Sequence, residues 1–547
     1  MRSPSKSELT GSLRLLSEKF RLDWRYFFIF FTAVIVAYSF SLRSPFIWDD
    51  WGLIVENPLL AHPGAAFSSP LHTSYSAKAG VSFYYRPIQA FSYSLDFIFW
   101  KASAFGYHLT NIVIHFLNTC LVFRLWNKVS GRRDAALYAG LLFAVCPVFI
   151  TSVTYISGRA DLLLLLFILI SCVNVLKFFE TGRFSYYCIS LLSFLFALFS
   201  KESACVFLVL VIALIESRTK DEKQTLGFRA LVWSGFFFVA LFYFVFRGQV
   251  VPFPGLTFTI QGGALDFFMT IFRLFSSYVL LGVFPINAYL GRSVVYGFDG
   301  SLGAYFSIVF VFLAVFWFLR QFRSGNRPAI FAGAWFVFSI LPMCVYNILY
   351  GRIGNEIIMP DNQFYLASVG LLGLLSLWFI RFFSRRIKGM AVSVFVAVYV
   401  LILLFQTIRI NLMWSDEERA LKSFLSFNRK ISYSNCLIFA ALGGALKRGG
   451  RIPEAKDAYH KAISLCADAA SFNNLANIYF DEKNYDEAKK LYEEAIRMDP
   501  DFIQPSIGLA LIYFKTDRPE RAEELIKKAE ARDKNWRYVF NYLKNSL

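Results

Sequence analysis

Over its first 410 residues the chain is a succession of apolar runs separated by short polar turns. Runs that could span a bilayer as helices occur at about 26–42, 107–126, 135–154, 160–177, 184–200, 203–217, 229–247, 302–320, 328–347, 364–380 and 389–408. A further apolar stretch, 267–290, is interrupted by Arg273, Ser276, Ser277, Pro285 and Asn287 and makes a poor span. From Asn411 the long runs stop and charged residues become dense.

Basic residues orient the spans. With the N-terminus inside, Arg2, Lys6, Arg14, Lys19, Arg21 and Arg25 lie on the inner face, as do Lys128, Arg132 and Arg133, then Lys177 and Arg183, then Arg218, Lys220 and Lys223. The clusters Arg320/Arg323/Arg327 and Arg381/Arg385/Arg386/Lys388 join them only if 267–290 does not cross. Eleven spans are therefore expected, with residues 1–25 cytoplasmic and the C-terminal region on the outer side: periplasm, cell exterior or organelle lumen. No small-residue cleavage site follows the first run, which reads as an uncleaved span.

Composition agrees. Of 547 residues, 56% are hydrophobic and 17% charged, against about 25% charged in soluble domains. A large soluble enzyme is excluded. The net charge of +18 is uneven: residues 411–547 hold 22 Lys and Arg against 20 Asp and Glu, so the excess sits on the membrane part. Membrane topology explains it, and no nucleic-acid partner is expected. Eight cysteines include no C-x-x-C pair, and six lie in or beside apolar segments, as expected of membrane packing.

The C-terminal region repeats itself. Ala455, Ala488 and Ala522 are spaced by 33 and 34 residues, and around them recur Leu442-Gly443, Tyr459 and Ala462, then Leu475-Ala476, Tyr479, Tyr492 and Ala495, then Leu509-Ala510, Tyr513, Ile526 and Ala529. Small residues recur where paired helices approach closely and large ones where they interlock. This looks like three tetratricopeptide repeats. The expected domains are a multi-span part at 26–410, a linker or helix at 411–435 and the repeats at 436–547.

Candidate chemistry begins after the first span, where the chain reads Phe46-Ile47-Trp48-Asp49-Asp50-Trp51-Gly52. Two adjacent carboxylates at a membrane edge are costly unless they have a task. They suit a general base whose neighbour holds an acceptor or a metal ion, or else an acidic interfacial turn. On the same expected face lie Tyr84-Tyr85-Arg86-Pro87, Ser157-Gly158-Arg159-Ala160-Asp161, Ser200-Lys201-Glu202-Ser203, and later Arg273, Arg352, Asn355, Glu356 and Asp361. Cations around an acidic pair suit a lipid-linked phosphate leaving group. Singly, each is an ordinary snorkelling or ion-paired residue. His108, Asn111, His115 and Asn118 form one helical stripe. Its histidines, a heptad apart, are about 10 Å from each other along the axis and too far for one metal, so interhelical hydrogen bonding is expected.

Taken in order, the early Asp49-Asp50, Tyr85-Arg86-Pro87, Phe105-Gly106-Tyr107-His108-Leu109, Ser157-Gly158-Arg159-Ala160-Asp161, Ser200-Lys201-Glu202 and Phe364-Tyr365-Leu366-Ala367-Ser368-Val369-Gly370, followed by the repeats, match a family. The chain resembles the transmembrane and tetratricopeptide-repeat-containing O-mannosyltransferases and their bacterial relatives, within the GT-C glycosyltransferase superfamily. The resemblance implies an all-α, GT-C-like polytopic domain followed by an α-solenoid. It also implies a polyprenyl-phosphate-linked sugar donor and a protein Ser/Thr hydroxyl as acceptor. Asp49 or Asp50 matches the catalytic acidic pair by position, and Arg86, Arg159 and Lys201 match basic motif positions. Two features depart from the pattern: only three repeats follow, and Asn355 to Gln363 lacks the usual Glu-Arg.

The expected activity is an inverting membrane glycosyltransferase. Asp49 or Asp50 is the base; Arg86, Arg159, Lys201, Arg273 and Arg352 are the phosphate-binding candidates, with Tyr85, His108, Asp161, Glu202 and Glu356 in support. No cofactor is required by the sequence, although a divalent metal could sit at the acidic pair. The expected partners are the lipid-linked sugar, a protein or glycolipid acceptor, membrane lipid, and a protein bound by the repeats. The rivals are the same fold glycosylating a lipid or polysaccharide, and a membrane-anchored scaffold without catalysis. A transporter ranks last, since no paired inverted halves are visible.

Overall fold

The computed structural model describes residues 24–55, 57–68, 84–218, 225–251, 263–285, 292–350, 352–353, 356–383, 389–427, 433–500, 502–516, 518–531 and 536–546. Helices α1 (Trp24–Tyr38), α2 (Pro87–Trp100), α3 (Ala104–Ser130), α4 (Arg133–Ala144), α5 (Arg159–Thr181), α6 (Phe184–Ser200), α7 (Phe207–Arg218) and α8 (Leu226–Val250) form the first half of the membrane part. It continues with α9 (Ala264–Val283), α10 (Leu302–Arg323), α11 (Arg327–Tyr350), α12 (Phe364–Phe383) and α13 (Gly389–Trp414).

Among the described residues nine helices are long and apolar enough to cross a membrane, and ten if the bent pair Arg133–Ala144 and Pro147–Val153 counts as one. The set differs from the sequence expectation at two places. Phe184–Ser200, at 17 residues, and Phe207–Arg218, at 12, are joined by the tight turn Glu202–Val206 and are individually short for a bilayer of about 30 Å. Ala264–Val283, which the charge pattern left out, is a continuous 20-residue helix. Its polar residues Thr270, Arg273 and Ser276 turn into the protein. The N–H of Gly297 donates to Thr270 Oγ1 at 2.8 Å, and Tyr278 donates to the carbonyl of Pro360 at 3.2 Å.

The polar stripe of α3 is buried and spent on neighbouring helices. His115 Nε2 donates to the carbonyl of Ala144 (3.2 Å), and its Nδ1 lies 2.8 Å from the hydroxyl of Tyr365. Asn118 donates to the carbonyl of Leu162 and to Tyr365, while Asn111 donates to the carbonyl of Val153. In lipid such bonds fix helix register, because packing against apolar tails does not discriminate rotations. The all-α expectation misses one feature, a small antiparallel sheet of order β1-β3-β2 from β1 (Arg292–Val295), β2 (Arg352–Ile353) and β3 (Glu356–Met359), with Arg292 opposite Met359. Such short strands carry no helix-length signal.

Beyond α13 follow α14 (Glu417–Phe427), then the antiparallel pairs α15 (Tyr433–Arg448) with α16 (Ile452–Cys466), α17 (Ala469–Asp481) with α18 (Tyr485–Met498), and α19 (Ile503–Lys515) with α20 (Pro519–Glu530), and finally α21 (Trp536–Ser546). Ala455, Ala488 and Ala522 are buried at the close approaches. Tyr459 and Tyr492 lie against Gly443 and Gly508, where a Cβ would collide with the rings. The two cysteines outside the apolar segments, Cys436 and Cys466, form a disulfide across the first pair, a pairing that their spacing of 30 does not announce.

Two glycines of the membrane part, Gly158 and Gly370, are closed in by backbone atoms. A Cβ at Gly158 would stand 2.5 Å from the carbonyl oxygen of Thr151 and 2.6 Å from Ser152 Cα, both backbone atoms of a buried turn. Gly158→Ala is expected to destabilise the membrane domain by about 1–3 kcal/mol through overpacking, read as a lower unfolding temperature in detergent.

Candidate active site

The turn leaving α1 carries the acidic pair. Phe46 and Ile47 are buried and anchor it, and Trp51 Nε1 donates to the carbonyl of Phe46 at 2.9 Å. Between them Trp48 has a positive φ of 53°. That left-handed conformation costs a non-glycine residue about 1–3 kcal/mol and persists only where its surroundings impose it.

The two carboxylates have different environments. Asp50, 1% exposed, accepts from the Ile47 N–H (3.1 Å) with one oxygen and from the Ser157 N–H (2.9 Å) and hydroxyl (2.6 Å) with the other. Asp49 is half-buried. Its Oδ2 accepts from the Tyr155 hydroxyl at 3.0 Å, whereas its Oδ1 accepts no hydrogen bond among the described residues. Burial pushes Asp49 up to about 6 and Asp50 up to about 7, against opposing hydrogen bonds from Tyr155 to the first and from Ser157 and Ile47 to the second. Burial, with the two carboxylates beside it, holds the Tyr155 hydroxyl well above its ordinary value, so it stays protonated and donates.

The facing turn 155–158 is clamped by α2. Gln89 donates to the carbonyl of Ser157 (3.0 Å) and to Tyr93, and Tyr93 donates to the carbonyl of Ile156 (3.0 Å). Arg86 immediately precedes α2. It pairs with Glu202 at 3.4 Å and lies over the Tyr84 ring at 4.3 Å. Lys201 pairs with Asp161 at 2.6 Å, and the second oxygen of Asp161 accepts from Asn362 at 3.0 Å. Both cations keep part of their side chains exposed, 15% for Arg86 and 13% for Lys201.

Other expected phosphate ligands are placed differently. Arg159 is fully buried: it pairs with Asp96 (2.6 Å), donates to Asn111 (2.7 Å) and to the carbonyl of Tyr107 (3.0 Å), and stacks on Tyr93. A guanidinium so enclosed is a strut between α2, α3 and α5 rather than a ligand for an incoming phosphate. Arg273 is likewise committed, to Asp299, Ser301 and the carbonyl of Val295. The side chain of Arg352, like Asn355, lies outside the described residues, and only its backbone pairing with Ile357 is placed.

Among the supporting residues, Tyr85 donates to the carbonyl of Phe67 (2.9 Å), His108 Nε2 donates to the carbonyl of Ser44 (3.1 Å), and Glu356 accepts from Ser293 (3.0 Å). His108 therefore steadies the approach to the acidic turn. Tyr155, Ser157, Asn362, Asp96 and the buried Asp361, paired with Arg292 at 3.1 Å, are contributors that the sequence reading did not single out for roles. The partners given for them above lie 63 to 201 positions away and leave no local signature. Among the described residues the one cluster of three groups able to hold a metal is Cys436, Cys466 and Asp468, in the first repeat and with both thiols in the disulfide.

Arg159→Ala leaves Asp96 buried without its cation. The expected outcome is a loss of about 3–5 kcal/mol, measured as accelerated thermal inactivation in detergent, while Arg86→Ala, whose partner Glu202 is 27% exposed, unfolds close to the wild-type temperature.

Comparison with known proteins agrees with the architecture. Residues 88–246 match a family model described as dolichyl-phosphate-mannose-protein mannosyltransferase, and residues 440–501 and 479–543 match tetratricopeptide-repeat models. A protein O-mannosyl-transferase of Caenorhabditis elegans is 26% identical over 80% of this chain and 62% of its own length. One of Homo sapiens is 23% identical over 92% of this chain and 64% of its own. The chain thus spans slightly under two thirds of these relatives. A crystal structure of ArnT from Cupriavidus metallidurans bound to undecaprenyl phosphate superposes with a TM-score of 0.42 at 12% identity, covering 86% of this chain and 77% of that one. The chain is similar to the protein O-mannosyltransferases in both of its parts: a multi-pass membrane domain and a tetratricopeptide-repeat solenoid.

Proposed function

We propose that this integral membrane protein is an inverting glycosyltransferase that moves a sugar from a polyprenyl-phosphate carrier to an acceptor hydroxyl, with protein Ser or Thr as the acceptor. The observation that carries the reading is the free Oδ1 of Asp49, a carboxylate oxygen raised in basicity by burial, fixed through its other oxygen by Tyr155, and sharing a face with two paired but partly exposed cations.

The step uses those groups in named roles. Asp49 Oδ1 takes the proton of the acceptor hydroxyl as its oxygen bonds to the anomeric carbon from the side opposite the phosphate. The bond from that carbon to the phosphate oxygen breaks, and its electron pair leaves with the lipid phosphate. Arg86 and Lys201, swinging partly from Glu202 and Asp161, neutralise the charge that develops there. Asp50 does no proton transfer; it holds the turn. The similarity to protein O-mannosyltransferases supports mannose as the sugar and protein as the acceptor, and the repeats supply a surface on which a polypeptide can dock.

The site and the repeats lie on one side of the membrane domain, since Trp48 and Trp51 touch Glu417 and Arg448. That side is the outer one in this reading. The basic turns around Lys128, Arg132 and Arg183 favour it, and so does a disulfide in the first repeat, which suits an oxidising compartment. Protease added to sealed, outer-face-out membranes is expected to remove the repeats; protection until the membranes are opened would reverse the orientation.

Asp49→Asn is expected to lower transfer from a polyprenyl-phosphate mannose by roughly 10²–10⁴-fold without lowering expression. The pH dependence has a definite sign. A base raised to about 6 is protonated and silent below that value, so the rate rises about tenfold per pH unit up to 6 and levels off near 7. A rate independent of pH between 5 and 7, or full activity in Asp49→Asn, would remove Asp49 from the mechanism. A glycolipid acceptor used in preference to Ser/Thr peptides would leave the base in place and change the acceptor.

A further inference from the structure

The turn bearing Asp49 is gripped from two sides, and one grip comes from outside the membrane domain. The N–H of Trp48 donates to Glu417 Oε1 at 3.0 Å. Glu417 opens α14, directly after the last membrane helix, and both of its carboxylate oxygens accept from Arg448 Nη2 at 2.7 Å. Arg448 ends α15, the first helix of the repeats, and its guanidinium also lies over the Trp51 ring at 4.4 Å. One ion pair therefore holds the residues on either side of Asp49-Asp50. Glu417 is 11% exposed and Arg448 27%, enough burial to favour a persistent pair over a transient surface contact.

The backbone explains why a second grip is needed. Trp48 sits at a φ of 53° that tryptophan does not hold unaided. Asp50 secures the turn to residue 157 and Tyr155 secures one oxygen of Asp49. The peptide linking Ile47 to Trp48 is oriented by the N–H that Glu417 accepts.

We propose that Glu417 and Arg448 are positioning residues for glycosyl transfer, making the first tetratricopeptide repeat part of the frame that aims Asp49. The inference rests on Asp49 as the base and goes beyond it: the repeats support the catalytic turn as well as offering a docking surface. They touch neither sugar nor phosphate, so they act on the reacting step and not on donor binding.

The full-length protein tests this with Glu417→Ala, Arg448→Ala and Glu417→Gln, the last of which keeps an acceptor for the Trp48 N–H. Arg451→Ala serves as control, since it breaks the neighbouring pair with Glu418 without touching the turn. Two measurements are made: steady-state transfer, and hydrogen exchange of the peptide containing residues 46–55. Glu417→Ala and Arg448→Ala are expected to lower kcat by tenfold or more with donor KM within about twofold, and to speed exchange at the turn by a similar factor. Glu417→Gln should restore most of both, and Arg451→Ala should match wild type. Unchanged exchange and kcat in Glu417→Ala overturns the proposal, as does an Arg451→Ala defect of the same size, which would reduce the contact to general stability of the joint. Asp49→Asn run alongside separates the two readings. If it transfers normally, the base assignment falls while the exchange data still decide whether Glu417 holds the turn. If it is silent and Glu417→Ala is not, the positioning role alone fails.

Discussion

The buried carboxylate of Asp50 is the contact on which the candidate site of this protein depends. Its three hydrogen bonds, from the Ile47 N–H and from the N–H and hydroxyl of Ser157, join the exit of the first span to the turn between α4 and α5. Removing such an acceptor would leave several buried donors unpaired, each a loss of about 1–3 kcal/mol. The conformation of Trp48, the angle of Asp49 and the approach of Tyr155 follow from that joint. The difference between the adjacent acids is then physical: both oxygens of Asp50 accept hydrogen bonds, and Oδ1 of Asp49 accepts none among the described residues.

The cations divide by the same criterion. A guanidinium cannot be deprotonated, so one enclosed in the fold must be matched by acceptors all round. Arg159 is matched by Asp96, Asn111 and a backbone carbonyl; Arg273 is held at its two terminal nitrogens by Asp299, Ser301 and another carbonyl, while its buried Nε has no partner among the described residues. Arg86 and Lys201 have one carboxylate each and an exposed remainder. Their partners differ in turn: Glu202 is 27% exposed, whereas Asp161 is 5% exposed and keeps a second hydrogen bond, from Asn362.

The repeats and the membrane domain share one hydrophobic core, which runs from Trp414 through Leu421 and Phe424 to Ile438 and Leu442, with polar contacts beside it. Trp414 packs on Tyr155 and Phe424, so the last membrane helix touches both the turn that holds Asp49 and α14. Glu417 and Arg448 extend this contact to the first repeat. The acidic turn thus lies where the first span, the α4–α5 turn and the solenoid converge, and its geometry registers the placement of all three.

Much of this was legible in the residues alone. Apolar runs of bilayer length dictate membrane helices, because a backbone in lipid must satisfy its own hydrogen bonds. The spacing of Ala455, Ala488 and Ala522 dictates stacked helix pairs, because only small residues fit there. Adjacent carboxylates at a span end marked the candidate site, since such charges are expensive without a purpose. What the sequence could not carry was partnership. Asp50 meets Ser157 across 107 positions, Arg86 meets Glu202 across 116 and Trp48 meets Glu417 across 369. Arg86, Arg159, Lys201 and Arg273 look alike as letters, and only the tertiary fold decides which are enclosed and which keep a side open. Local pattern determines which residues are apolar, small or charged; the three-dimensional arrangement sets their solvation and their hydrogen-bond partners, and with those the distinction between an enclosed charge and one that keeps a side open.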